Sequence, residues 1–204
     1  MEDGQTFTFP TISENGYASS DYTTLYSNGQ TITPDADITA SSIGEIGFEI
    51  EEGASIDLTG LDGIRFLSEA TYSDADFLNS DSVELGTLIA PADIFDETFD
   101  GDLTLEKQEE YGAKSAARVV NHGWRLGQVG NFAAGIIHIR DYNWTRKLIS
   151  RAYMILKYSD GSNKVIYTGY SGRRSIVQVA EILRDEGYPG MTPEQIASIQ
   201  KFLD

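Results

Sequence analysis

His122 and His138 are the chain's two imidazoles, and no Glu-x-x-His or His-x-x-x-His pattern surrounds either of them. That spacing indicates neither a zinc site nor a hydrolase triad. His138 falls inside the apolar run Gly130 to Ile139, where it reads as a hydrogen-bonded residue of a strand's core or face. Carboxylates are far more numerous, at 32, so acid pairs such as Asp74/Asp76 and Asp93/Asp96/Glu97 arise by crowding alone. A general acid would be marked by surroundings that raise its pKa, which spacing does not display. No catalytic residue is therefore assigned and no enzyme activity is expected, a glycoside hydrolase being the one activity these acids leave open.

One acidic stretch imitates a calcium loop. Asp96, Asp100 and Gly101 match positions 1, 5 and 6 of an EF-hand, but Thr98 stands at position 3 and Lys107 at position 12, where a bidentate Glu belongs. Asp96, Asp100 and Asp102 are thus candidates for a looser calcium site only, and a solvated acidic loop is the plainer account. No glycine-rich phosphate loop occurs, so no nucleotide cofactor is indicated.

Aromatic residues in polar settings are the remaining chemical signal. Trp124 lies in Asn121-His122-Gly123-Trp124-Arg125, and Tyr17, Tyr22 and Tyr26 lie among Ser, Asn, Gly and Thr. A flat apolar ring flanked by a few hydrogen-bonding groups is what a sugar-binding surface requires. Trp124, Arg125, Asn121, Tyr22 and Tyr26 are the candidate ligand-binding residues. Trp144 and Tyr153 read instead as packing residues. Arg65, the one base in the first 102 residues, is expected to pair with a carboxylate, and Arg151, Arg173 and Arg174 stand out as further pairing candidates.

These residues must be positioned by strands. Residues 1–45 read as a polar β or extended segment, with Thr6-Phe7-Thr8-Phe9 alternating and a turn at Ser27-Asn28-Gly29. Residues 46–204 read as a β-sandwich-like domain. Phe48, Ile50, Ile56 and Leu58 mark half-buried strands, and further strands are predicted at Gly63–Ser68, Val83–Ala90 and Gly130–Ile139. Residues 92–117 are acidic and mixed, with a helical turn near Thr104–Lys107. Arg151–Tyr158 and Lys164–Thr168 flank Ser159-Asp160-Gly161, the signature of a hairpin. Apolar residues 176, 179, 180 and 183 then follow helical spacing, predicting a helix over 175–186. Thr192-Pro193-Glu194-Gln195 supplies a cap and an N1 proline for another over 193–203. The expected class is mainly β with two C-terminal helices, α+β being the alternative label.

Charge narrows the partners. The net charge is −17, and the first 102 residues carry 22 acids against Arg65 alone. Such a surface repels phosphate backbones, so nucleic acid is not an expected partner. No apolar run reaches the ~20 residues of a membrane span, and membrane insertion is not expected either. Cysteine is absent, which removes disulfides and thiolate chemistry together.

In order along the chain, Gly53-Ala54-Ser55-Ile56, Gly63-Ile64-Arg65-Phe66, Gly86-Thr87-Leu88-Ile89-Ala90-Pro91, Tyr142-Asn143-Trp144-Thr145-Arg146, Arg151-Ala152-Tyr153, Tyr158-Ser159-Asp160-Gly161 and Tyr170-Ser171-Gly172-Arg173-Arg174-Ser175-Ile176 make a pattern. It resembles a poorly characterised accessory domain of large secreted or surface proteins of gut-type Gram-positive anaerobes, found beside leucine-rich-repeat, immunoglobulin-like and carbohydrate-active modules. The resemblance spans roughly residues 45–203, departs from the family in a short connection after Tyr170, and carries over no catalytic residue. It implies a secreted or cell-surface location within a larger protein. The reading that follows is a non-catalytic carbohydrate-binding module whose partner is a glycan. The alternative is a structural or protein-interaction domain that docks or spaces a neighbouring module.

Overall fold

The computed structural model describes residues 6–11, 17–19, 25–26, 29–33, 38, 40–42, 47–58, 61–71, 82–121, 130–157 and 161–204. Short strands come first: β1 (Phe7–Thr8), β2 (Tyr17–Ser19), β3 (Leu25–Tyr26), β4 (Thr31–Ile32) and β5 (Ala40–Ser42). They pair with one another, β1 with β4 and β2 with both β3 and β5. Phe9 is buried against Phe7 and Tyr17, with both ring centroids 5.0 Å away.

Two antiparallel sheets follow. One orders β11 (Gly130–Ile136), β8 (Ile64–Thr71) and β6 (Gly47–Ile50), with β7 (Ser55–Ile56) also on β8. The other orders β10 (Ala117–Asn121), β9 (Ser82–Pro91), β12 (Leu148–Lys157) and β13 (Asn163–Tyr167). Side chains alternate across a strand, so Ile64, Phe66 and Ala70 of β8 share a face with one another. That face meets the other sheet: Ala70, Phe132 and Phe48 pack with Leu85, Ala152, Met154 and Leu156. The chain is mainly β and its sheets pack as a sandwich, as the alternation predicts.

The opposite face of the β9–β12 sheet is covered as well. Helices α1 (Ala92–Glu97) and α2 (Leu105–Tyr111) occupy the stretch where the sequence suggests a single helical turn. Phe95, Phe99 and Leu103 recur every four residues and pack on Leu88, Ala90, Ile149 and Tyr153. Intervening acids hide that period in the sequence, because they face solvent.

Gly86 is required where it stands in β9. A Cβ there would lie 2.4 Å from Tyr153 Cζ and 2.6 Å from the Val119 carbonyl oxygen, so the Tyr153 ring occupies the space a side chain would need.

Helices α3 (Ile176–Asp185) and α4 (Pro193–Gln200) close one end of the sandwich, with Ile176, Val179, Ile199 and Phe202 packed on Ile64, Phe66, Ile89 and Ala134. Both begin with the capping boxes that Ser175/Gln178 and Thr192/Gln195 encode. Gly187, at φ 74°, ends α3: its N–H bonds the Arg184 carbonyl while that of Tyr188 bonds Leu183, a Schellman arrangement. No helix of the described residues is long and apolar enough to cross a membrane.

Two local expectations are corrected. The strand β11 stops at Ile136, and His138 is an exposed residue at φ 58° beyond it, not part of a strand core. Arg65 faces outward from β8 and makes no ion pair among the described residues, because the alternation that buries Ile64 and Phe66 turns it to solvent.

Candidate functional site

Where β11 ends, the chain does not continue into a neighbouring strand. His138 takes a left-handed conformation that few non-glycine residues adopt, and its N–H bonds the Leu61 carbonyl at 2.7 Å. The Ile139 N–H bonds Asp62 at 3.0 Å. This anchored turn leaves Ile137 and His138 exposed and leads into a 3-10 turn, Asp141–Asn143, in which the Asn143 N–H bonds the Arg140 carbonyl at 2.8 Å.

The turn rests on a firm base. Trp144 donates its indole N–H to the Ile139 carbonyl at 2.9 Å and meets Phe202 edge-on, with centroids 4.8 Å apart. Its own carbonyl accepts from the Val177 N–H at the start of α3. Arg146 grips Asp93 of α1 through two bonds of 3.0 and 2.7 Å. That guanidinium holds the Asp93 carboxyl below the usual carboxylate range.

Between these elements lies a cleft of about 260 Å³. Its floor is apolar, formed by Ile64, Ile136, Leu148 and Ile176, the first residues of β8, β12 and α3 and the last of β11. His138, Arg140, Tyr142, Asn143 and Arg146 form its walls and rim. Tyr142 is 73% exposed, more than any other large hydrophobic side chain among the described residues. An accessible ring above an apolar floor, with an amide, an imidazole and a guanidinium beside it, can receive a ligand with one flat apolar face and several hydroxyls.

A second cleft, of about 410 Å³, lies between β7, β8 and α3 and is lined by Glu51, Glu52, Glu186, Arg65 and Arg174. No aromatic residue is among the described residues lining it.

Of the candidate ligand-binding residues singled out from sequence, the structure describes two, Asn121 and Tyr26. Asn121 is the half-buried last residue of β10 and is not among the described residues lining either cleft; Tyr26 belongs to β3, on a separate ladder. Trp124, Arg125, Tyr22, His122, Asp74 and Asp76 lie outside the described residues, as do Ser27 and Asn28 of the first turn. Among the loop acids, Asp96 is held by Arg173 through bonds of 2.7 and 2.6 Å, which keeps its carboxyl below the usual range. Asp102 faces Arg151 at 3.1 Å and Lys107 at 3.7 Å, and Asp100 sits in a turn at φ 52°. Among the described residues no group of three or more His, Asp or Glu side chains is placed to hold a metal ion. Asp93 and Asp96 are shifted away from the raised pKa that a general acid needs.

Sequence reasoning passed over Tyr142 and Asn143 as site residues. The signal was present in Arg140-Asp141-Tyr142-Asn143, an aromatic among polar groups directly after an apolar run. Trp144 and Tyr153 pack as expected, Tyr153 being fully buried. Compared with known proteins, the chain matches no family model, no curated protein and no solved structure.

Proposed function

We propose that the domain is a non-catalytic binding module, displayed on or secreted from a cell as part of a larger protein, whose ligand is a glycan held in the Tyr142 cleft. The observation that carries this reading is the Tyr142 ring, exposed at 73% on a turn that backbone bonds and the Trp144–Phe202 contact hold in place. Sugar rings stack on such faces while neighbouring amide and guanidinium groups take their hydroxyls, and a preformed site avoids the ordering cost of a mobile loop.

The test is binding of the purified domain to a panel of soluble and insoluble polysaccharides and host glycans, with and without calcium, in parallel with Tyr142→Ala. Saturable binding that falls about tenfold or more in the variant supports the reading, since a lost ring contact of roughly 1.4 kcal/mol has that effect. Binding that ignores Tyr142 would move the site elsewhere. No binding across the panel would favour the protein-docking alternative, for which exposed Ile137 beside Tyr142 is the supporting feature.

A further inference from the structure

Acids outnumber bases by 32 to 15 in this chain, yet no Asp or Glu is among the described residues lining the Tyr142 cleft. Among the described residues its ionisable lining consists of His138, Arg140, Arg146 and Tyr142. Arg146 is already neutralised by Asp93. Arg140, exposed at the rim, makes no ion pair among the described residues. Two carboxylates flank it, Asp141 next in sequence and Asp62, whose carbonyl holds the Ile139 N–H, and neither is paired with it. Asp141 accepts the Tyr142 N–H through Oδ1 at 2.8 Å, and Asp62 pairs with Lys201.

An unpaired guanidinium beside an exposed ring, in a chain whose net charge is −17, is a device for selecting charge. The net charge of the chain disfavours anions at long range, so an acidic ligand gains where it places its negative group at the rim, beside Arg140. Arginine's planar fork suits a carboxylate or a sulfate, either of which can accept two parallel N–H bonds.

Resting on the binding-module reading above, we infer that the cleft selects acidic glycans, with the ring of one sugar on Tyr142 and its carboxylate or sulfate on Arg140. The shared chemistry is a planar or tetrahedral oxyanion on a pyranose. Uronic-type and sulfated polysaccharides are its two sources.

The experiment compares the intact domain on two matched pairs: polygalacturonate against its methyl ester, and dextran sulfate against dextran. Three variants run beside it, Arg140→Gln, Tyr142→Ala and Lys114→Gln, the last removing an exposed lysine beyond α2 and outside the cleft. Arg140 is exposed, so unchanged unfolding curves confirm that its variant keeps the fold. The expected result is at least tenfold tighter binding to one acidic member than to its neutral partner, lost in Arg140→Gln and kept in Lys114→Gln. Which pair responds identifies the oxyanion. Equal binding to acidic and neutral forms, or an effect of Lys114→Gln as large as that of Arg140→Gln, overturns the selection of acid while leaving the binding module standing. Failure of every glycan, neutral ones included, overturns the module itself.

Discussion

Arginine sits beside tyrosine at two corners of this sandwich, and the two corners differ in what is left unoccupied. At the first, the Arg151 guanidinium lies 4.5 Å from the Tyr167 ring centroid and 4.9 Å from that of Tyr170. It donates to the Thr168 carbonyl, to Asp102 and to the Leu103 carbonyl. The tyrosine hydroxyls in turn accept from the Leu105 and Leu103 N–H groups, at 2.9 and 3.2 Å. At the second corner Arg140 makes no ion pair among the described residues and Tyr142 projects into solvent. Residue type does not separate the two: the closed corner ties the α1–α2 layer to the sheet, and the open one leaves its groups accessible to solvent.

The sharpest way to break the comparison is to remove what the closed corner fastens. Phe99 is fully buried beneath that layer, with its ring 5.4 Å from Tyr111. Phe99→Ala is expected to cost about 3–5 kcal/mol, read as a lower denaturation midpoint. Next comes the fastening itself. Arg151→Ala takes a partner from two carbonyls and two rings and leaves Asp102 only its longer contact with Lys107, and it is expected to cost about 2 kcal/mol, since one side of the pair is exposed. Glycan binding at the Tyr142 cleft should be unchanged by it. Arg151→Lys should recover part of the loss at most, because an ammonium lacks the planar fork.

What the sequence discloses follows the same division between local and assembled features. The β12–β13 hairpin and the capped helices α3 and α4 are legible because a few adjacent residues encode each of them. Lys157 pairs with Asn163 in the hairpin, and Gly161 supplies a φ of 83° between them. Helices α1 and α2 are hidden, since Phe95, Phe99 and Leu103 are separated by acids whose solvent-facing role appears only once the sheet is built. The cleft is less legible still. Its floor draws Ile64, Ile136, Leu148 and Ile176 from four distant segments, and its rim depends on His138 leaving the strand that its apolar neighbours imply. Polar neighbours surround Trp124 and Tyr142 alike in the sequence, so that signal alone does not rank one ring above the other.

Tyr142→Ala separates the corners from the other side. A side chain 73% exposed contributes little to the fold, so the variant's stability should lie within about 0.5 kcal/mol of the parent. Its glycan affinity should fall about tenfold. A denaturation midpoint lowered as far as that of Arg151→Ala would make the open corner structural and erase the distinction.

A smaller effect tests whether closed clusters elsewhere behave like the Arg151 corner. Glu84, at the far end of β9, is partly buried, which by itself would raise its carboxyl above the ordinary value of 4.5. Hydrogen bonds from Arg118 at 2.5 Å, Tyr153 at 3.1 Å and Lys157 at 3.2 Å outweigh that and hold it lower. The native state therefore binds this proton less tightly than the unfolded chain does. Its contribution to stability is complete above 4.5 and is lost as pH falls through the lower folded value. Glu84→Gln should flatten this part of the acid limb when unfolding free energy is measured from about pH 6 to about pH 3, by a few tenths of a kcal/mol, because the cluster is partly solvated. An acid limb identical in the two proteins would mean that Glu84 is no more committed than Arg140, and that closure by hydrogen bonds does not distinguish structural charge from available charge in this fold.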